Sequence, residues 1–305
     1  MWTVGANVTT GPQGVIGESE LNQAVEEYYD TTLSLYEELW GEHVHHGYWD
    51  PGESPGGTGV DRHAACDRTV RELLTFAELP STSHTLDVGC GIGGPAIYLA
   101  RDHGCRVEGI SLSSLQVARA AEKATSAGVA DRTRFRQIDM LANDFFDESF
   151  DAVWALESVM HMPDRGAFFA EALRVPRPGG TLALSSWCIR DGDLDASEER
   201  LLQLILRHQV MPRLISIEEH AKLCWDVGFT EVRTRDWSDA VRRSWDPDFA
   251  MIQRLESGRA YVRDLARAKG VDVLGFFYAG PLMKQAYDRD VMRYGVLRAT
   301  KPPVP

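Results

Sequence analysis

A chain of 305 residues, 44% apolar and 25% charged, is long enough to bury a substantial core and too apolar to be disordered. Its net charge of −13 repels phosphate backbones and anionic headgroups, which argues against nucleic acid and membrane partners and favours a small neutral or cationic ligand. There is no apolar run of spanning length and no basic-then-apolar start. Cys66, Cys90, Cys105, Cys188 and Cys224 form no Cys-x-x-Cys pair, so the reading is a cytoplasmic protein with reduced thiols.

Residues 1–18 are rich in Gly, Thr and Val without a period and read as a loose arm. From Ser19, the candidate cap, Leu21, Val25, Tyr28, Tyr29, Leu33, Leu35, Tyr36, Leu39 and Trp40 recur at three- and four-residue steps. That spacing predicts one or two amphipathic helices. His43, His45 and His46 follow, but no distant cysteine or histidine stands at a zinc-site spacing, and no metal is expected. After a Pro/Gly/Ser loop over 51–59, residues 60–77 read as a helix. Strands are expected near 84–88, 105–110, 132–137, 149–155, 180–187, 229–236 and 290–298, with helices in most gaps. Such alternation is the pattern of an α/β fold with a mostly parallel, seven-stranded sheet covered on both faces. The expected division is an arm (1–18), a helical lid (19–60), a core (61–190), cap segments with the sixth strand (191–288), and a last strand with tail (289–305).

The stretch that organises the rest runs from His84 to Ala100. It contains Asp87-x-Gly89-Cys90-Gly91-x-Gly93 between a short apolar strand and a helix. Alternate glycines leave backbone bare for a ligand, no Gly-Lys-Ser/Thr follows, and the spacing is displaced from Gly-x-Gly-x-x-Gly. This loop resembles the first motif of Rossmann-like S-adenosylmethionine (SAM) methyltransferases. About 20 residues on, where such a site reads the ribose, a second strand ends in Ser111 with Gln116 beyond it. A third strand runs to Asp139 and Met140, and in the family Asp139 holds the place of the adenine partner. Members often carry an acid where Ser111 stands, so the hydroxyl there is a departure that either weakens the ribose contact or passes it to Gln116.

Tyr29-Asp30, Leu35-Tyr36, Trp40-Gly41-Glu42 and His46-Gly47-Tyr48-Trp49 resemble the lid of the gamma-tocopherol and sterol side-chain methyltransferase group. Glu157, Ser158, His161, Met162, Pro163 and Asp164, after the fourth strand, also resemble that group and the rebeccamycin-type sugar O-methyltransferases, with Met160 where the latter carry a first histidine. Trp187-Cys188, Asp236-Trp237-Ser238 and Pro281-Leu282-Met283 extend the likeness over residues 20–303. The resemblance implies a Rossmann-like core with a helical lid and a helical cap insertion at 237–288. It implies SAM as cofactor, held by Asp87, Gly89, Cys90, Gly91, Gly93, Ser111, Gln116, Asp139 and Met140. The acceptor is expected to be a small hydrophobic molecule, prenylated or aromatic, methylated at carbon in secondary metabolism. Tyr28, Tyr29, Trp49, Met160 and Trp187 are expected at the acceptor, with Glu157 and His161 as proton acceptors. Nitrogen or oxygen methylation, or a SAM-bound cyclase like the spinosyn enzyme, are the alternatives. The apolar helices at 19–40 and 196–210 are candidates for pairing with a second copy.

Overall fold

The computed structural model describes residues 8–9, 15–55, 61–246 and 273–303. The cap aromatics Phe249 and Tyr261 lie outside these, as do the side chains of Leu35, Leu39, Trp40, Phe276, Phe277 and Tyr278. One seven-stranded sheet carries the fold: β1 (His84–Val88), β2 (Arg106–Ser111), β3 (Thr133–Gln137), β4 (Phe150–Leu156), β5 (Pro176–Ile189), β6 (Thr230–Asp236) and β7 (Met292–Thr300). Their spatial order is β3-β2-β1-β4-β5-β7-β6. The first five pair in parallel, and β7 runs antiparallel to both β5 and β6.

Central strands buried on both faces explain the near-continuous apolar runs that mark them. Along β4, Ala152, Trp154 and Leu156 enter one core while Val153 and Ala155 enter the other, the two-residue period of a strand. β6, at the edge, instead carries Glu231, Arg233 and Arg235 and is largely exposed. Charges there discourage pairing with another chain. The sheet order reverses between β2 and β4, on either side of β1, and ligands of open α/β sheets bind outside the strand ends at such a point.

Helices α1 (Glu18–Trp40), α2 (Arg62–Ala77), α3 (Gly94–Asp102), α4 (Ser114–Ser126), α5 (Arg165–Arg174), α6 (Ala196–His208), α7 (Ile217–Val227), α8 (Ser238–Val241) and α9 (Val273–Asp288) flank and cover the sheet, with short 3-10 turns at Met140–Ala142, Val159–His161 and Arg242–Trp245. The first sequence-predicted helical stretch is a single helix. Ser19 lies inside it rather than capping it, and Gly17 is the cap, its N–H bonded to Glu20 Oε2 at 3.1 Å. The expected loose arm contains a two-residue antiparallel pairing of Val8–Thr9 with Val15–Ile16. α1 is tied across the core. Asn22 Nδ2 donates to Asp139 Oδ2 (2.7 Å), Ser113 Oγ donates to Asp30, and Glu37 bridges Arg119 (2.7 Å) and Lys123 (3.4 Å). No helix among the described residues is long and apolar enough to cross a membrane.

Candidate active site

The β1–α3 loop floors a cleft of about 980 Å³, counting its solvent-open mouth. All three loop glycines have positive φ (Gly89 +76°, Gly91 +53°, Gly93 +85°), a region that side chains with a Cβ avoid. Their surroundings differ, which the spacing alone did not reveal. A Cβ on Gly89 would stand 2.3 Å from Ser158 Cβ and one on Gly93 2.9 Å from Ala120 Cβ, whereas one on Gly91 meets nothing within 4 Å. Only at Gly91, therefore, does the bare backbone open on free space. Gly94, which the sequence reading did not single out, lets the lid carbonyl of Glu42 approach to 2.3 Å of where a Cβ would stand.

This contrast separates cradle from packing. Gly91→Ala is expected to weaken S-adenosylhomocysteine binding about tenfold or more while costing about 1–2 kcal/mol for the left-handed backbone alone. Gly93→Ala adds a clash with α4 and should lower the melting temperature further. Calorimetric titration beside thermal melts reads both, and an alanine at Gly91 that leaves affinity intact would remove the cradle from the argument.

Gly89, Cys90, Gly91, Ser111, Gln116, Asp139 and Met140 line the cleft, while Asp87 and Gly93 stand behind its wall. Asp87 is buried with Oδ2 unpartnered, and burial pushes its carboxyl up to about 7. Ser111 Oγ donates to Gln116 Oε1 (2.8 Å) and accepts from Ser113 N (3.1 Å). Asp139 Oδ1 accepts Leu141 N at 2.9 Å. The roof comes from the lid: Asn22, Val25, Glu26 and Tyr29 sit three and four residues apart on one face of α1. The orphaned Asp87 oxygen, the open space at Gly91 and the acceptors at the ends of β2 and β3 fit SAM, which these residues would hold.

A second cavity, about 560 Å³ on the same measure, shares Tyr29, Val44, His45, Glu157 and His161 with the cleft. Tyr36, His46, Met160, Trp187, Gln209, Ser244 and Trp245 form the rest of its wall. Glu157 stands at the junction, at the end of β4, with φ +52° and only 7% exposed. A non-glycine residue held in that region costs of order 1–3 kcal/mol and persists only where its surroundings fix it. Oε1 accepts from His46 N (2.8 Å) and Tyr294 Oη (2.8 Å), and Oε2 from Trp187 Nε1 (2.7 Å) and His46 Nδ1 (2.8 Å). Burial works to raise its pKa, but the hydrogen bonds from His46 and Trp187 hold it low.

That arrangement corrects the expectation that Glu157 takes a proton. Every lone pair is engaged and the carboxylate is a weak base, so Glu157 anchors the lid and supplies fixed negative charge. The donors also fix a tautomer. Trp245 Nε1 can only donate, to His46 Nε2 (2.6 Å), so Nδ1 of His46 carries the hydrogen given to Glu157.

His161 keeps a lone pair directed at Tyr29. Its Nδ1 faces the Val210 carbonyl (3.2 Å), which only accepts, so Nδ1 is protonated and Nε2 is the lone pair accepting from Tyr29 Oη (2.9 Å). Burial, with Arg165 adding to it, lowers His161 to about 4, and burial raises the Tyr29 phenol well above its ordinary range. Both are neutral at rest.

Of the residues expected at the acceptor, Tyr29, Met160 and Trp187 line this second cavity, but Tyr28 and Trp49 do not. Tyr28 Oη contacts Tyr36 Oη (3.1 Å) and donates to Gln209 (3.2 Å), bracing the wall from behind. Trp49 is buried and donates to Ser244 Oγ (3.0 Å), pinning lid to cap. Tyr294 and Gln209, which complete these contacts, carried no signal in the sequence reading. His43 and His45 form a chain rather than a ligand set: Asp67 Oδ1 to His43 Nε2 (2.8 Å), His43 Nδ1 to His45 Nε2 (2.9 Å), and His45 Nδ1 to the His46 carbonyl (2.9 Å). Among the described residues no group of three His, Cys, Asp or Glu side chains has the geometry to hold a metal.

Residues 86–184 match the family model described as "Methyltransferase domain". The chain is 33% identical to chloroplastic tocopherol O-methyltransferase of Arabidopsis thaliana, over 92% of this chain and 83% of that one. It is 36% identical to 27-O-demethylrifamycin SV methyltransferase of Amycolatopsis mediterranei, over 71% and 77%. Among solved structures, the [4+2]-cyclase SpnF superposes with a TM-score of 0.76 at 29% identity, covering 93% of this chain and 97% of that one. Geranyl diphosphate C-methyltransferase of Streptomyces coelicolor A3(2), solved with S-adenosyl-L-homocysteine, shares the fold at a TM-score of 0.72 and 20% identity, over 92% and 97%.

Proposed function

Since the chain belongs to the SAM-dependent small-molecule methyltransferases, in the group that contains tocopherol O-methyltransferase, we propose that it methylates a ring carbon of a hydrophobic hydroxyaromatic or prenylated acceptor. The observation that carries this reading is the acceptor cavity. It is walled by Tyr29, Tyr36, Trp187 and Trp245, with a buried, anionic Glu157 at its mouth and the neutral Tyr29–His161 pair beside it. Aromatic faces and a fixed carboxylate favour an acceptor that gains positive charge as the methyl arrives, each ring contributing about 0.5–2 kcal/mol.

When bound, SAM supplies an electrophilic methyl whose bonding pair stays with sulfur. The protein does the rest. The cavity walls align the acceptor, since a reacting distance near 3–3.5 Å supplies most of the acceleration in such a transfer. The ring carbon beside the acceptor's hydroxyl takes the methyl, and the ring cation that results is stabilised by the aromatic walls and the Glu157 carboxylate. Tyr29 then receives the cation's hydroxyl proton while passing its own to His161 Nε2, the ring proton moves to the oxygen to restore the aromatic ring, and one net proton leaves on His161. The lid residues His45 and His46 close the junction against water.

The test is incubation with trideuteromethyl SAM and a panel of prenylated hydroquinones and phenols, with NMR assignment of the products. Label on a ring carbon is expected. Label on oxygen or nitrogen only would overturn the carbon assignment. The likeness to SpnF favours a second reading, cyclisation without methyl transfer. A product formed without S-adenosylhomocysteine would establish that reading in place of the first.

A further inference from the structure

We propose that Glu26, on the lid helix, is the carboxylate that reads the ribose hydroxyls of the bound cofactor. The inference rests on the assignment of the larger cleft to SAM. Rossmann-type sites place an acid at the end of the second strand, about 20 residues past the glycine loop, to accept hydrogen bonds from the ribose. Here that place is held by Ser111, and its hydroxyl is committed within the protein, donating to Gln116 and accepting from Ser113.

Among the described residues, four carboxylates lie on the cleft wall: Glu26, Glu42, Asp139 and Glu157. Glu157 is saturated by protein donors at the acceptor junction. Asp139 is engaged by Leu141 N and Asn22 at the end of β3. Glu42 is held through its backbone carbonyl against Gly94, at the start of α3 rather than at the end of β2, and the residue is exposed.

Glu26 is the one placed over the end of β2. Its Oε1 accepts from Gln137 Nε2 (3.3 Å), and the same amide donates to the Leu112 carbonyl (2.8 Å), the residue directly after Ser111. Gln137 is itself the register partner of Ser111 across β2 and β3. The missing strand acid is thus replaced by one delivered from above on α1, one helical turn from Asn22 and from Tyr29. Its consequence is that cofactor binding and lid closure become a single event, because the ribose contact exists only with α1 seated.

Calorimetric titration of the full chain with S-adenosylhomocysteine and with its 2′-deoxy and 3′-deoxy analogues tests this. The wild type should lose about 10–100-fold in affinity on removal of a hydroxyl, the range for hydrogen bonds to a charged group. Glu26→Ala should lose a similar factor towards S-adenosylhomocysteine and should no longer distinguish the analogues. Glu26→Gln should fall between. Glu27→Ala removes the neighbouring carboxylate on the exposed face and should change nothing, which controls for net charge. A Glu26→Ala chain that still discriminates the deoxy analogues as the wild type does overturns the proposal. Failure of the wild type to bind S-adenosylhomocysteine at all would instead overturn the assignment of the cleft.

Discussion

Replacing Glu157 by alanine is expected to abolish turnover and to lower stability by about 3–5 kcal/mol, the usual cost of removing one partner from a buried charged network. The substitution strands four buried donors, His46 N, His46 Nδ1, Trp187 Nε1 and Tyr294 Oη. For a chain of this size the melting temperature should fall by roughly 10 °C. Because a destabilised protein loses activity for trivial reasons, the informative variant is Glu157→Gln. It preserves shape and one acceptor oxygen while removing the charge. Its amide NH2 meets one pair of donors, so its melting temperature should still fall, by less than for Glu157→Ala, while affinity for neutral S-adenosylhomocysteine should change little and kcat should fall about 10²–10³-fold as for loss of a preorganised electrostatic contact. A Glu157→Gln enzyme with wild-type kcat would show that the carboxylate only holds the lid.

His161→Asn is expected to lower kcat by about 10²–10⁴-fold, the range for a positioned general base, with little effect on cofactor affinity. Tyr29→Phe should cost less, because His161 keeps its lone pair. The double variant should be no worse than His161→Asn, since the two groups act in one proton chain. The pH dependence has a definite sign. His161 accepts a proton only when neutral, and burial lowers it to about 4, so kcat/KM should stay level downward past the ordinary histidine range and fall only as pH approaches about 4. An acid limb near 6.5 that survives in His161→Asn would assign the base elsewhere.

Local rules explain why so much of the core was legible. The alternation of apolar strands and amphipathic helices, the glycine loop after β1, and the order of Ser111, Asp139 and Glu157 at successive strand ends are all set by residues close in sequence. Strand periods and turn chemistry act over a few residues, so they appear in the linear pattern. The mostly parallel, seven-stranded sheet followed from them, with β7 starting two residues later than its apolar run suggested and β5 extending further at both ends.

What the tertiary structure alone decided concerns which neighbours those residues acquire. Tyr28 and Tyr29 are an identical pair in the sequence, but adjacent helical positions point about 100° apart, so one meets His161 and the other Gln209. Glu157 read as a proton acceptor because carboxylates after β4 can be one. Its partners His46 and Tyr294 stand 111 and 137 residues away, and only their convergence turns it into a saturated anion. Asn22 and Glu26 look like ordinary polar positions of a surface helix until α1 is seen lying over the cleft. Sequence by itself determined the fold, the cofactor loop and the strand ends where chemistry would gather, because these depend on short-range backbone geometry. Only tertiary packing decided the protonation state and duty of each side chain there, because a pKa and a hydrogen bond depend on burial and on groups from remote parts of the chain.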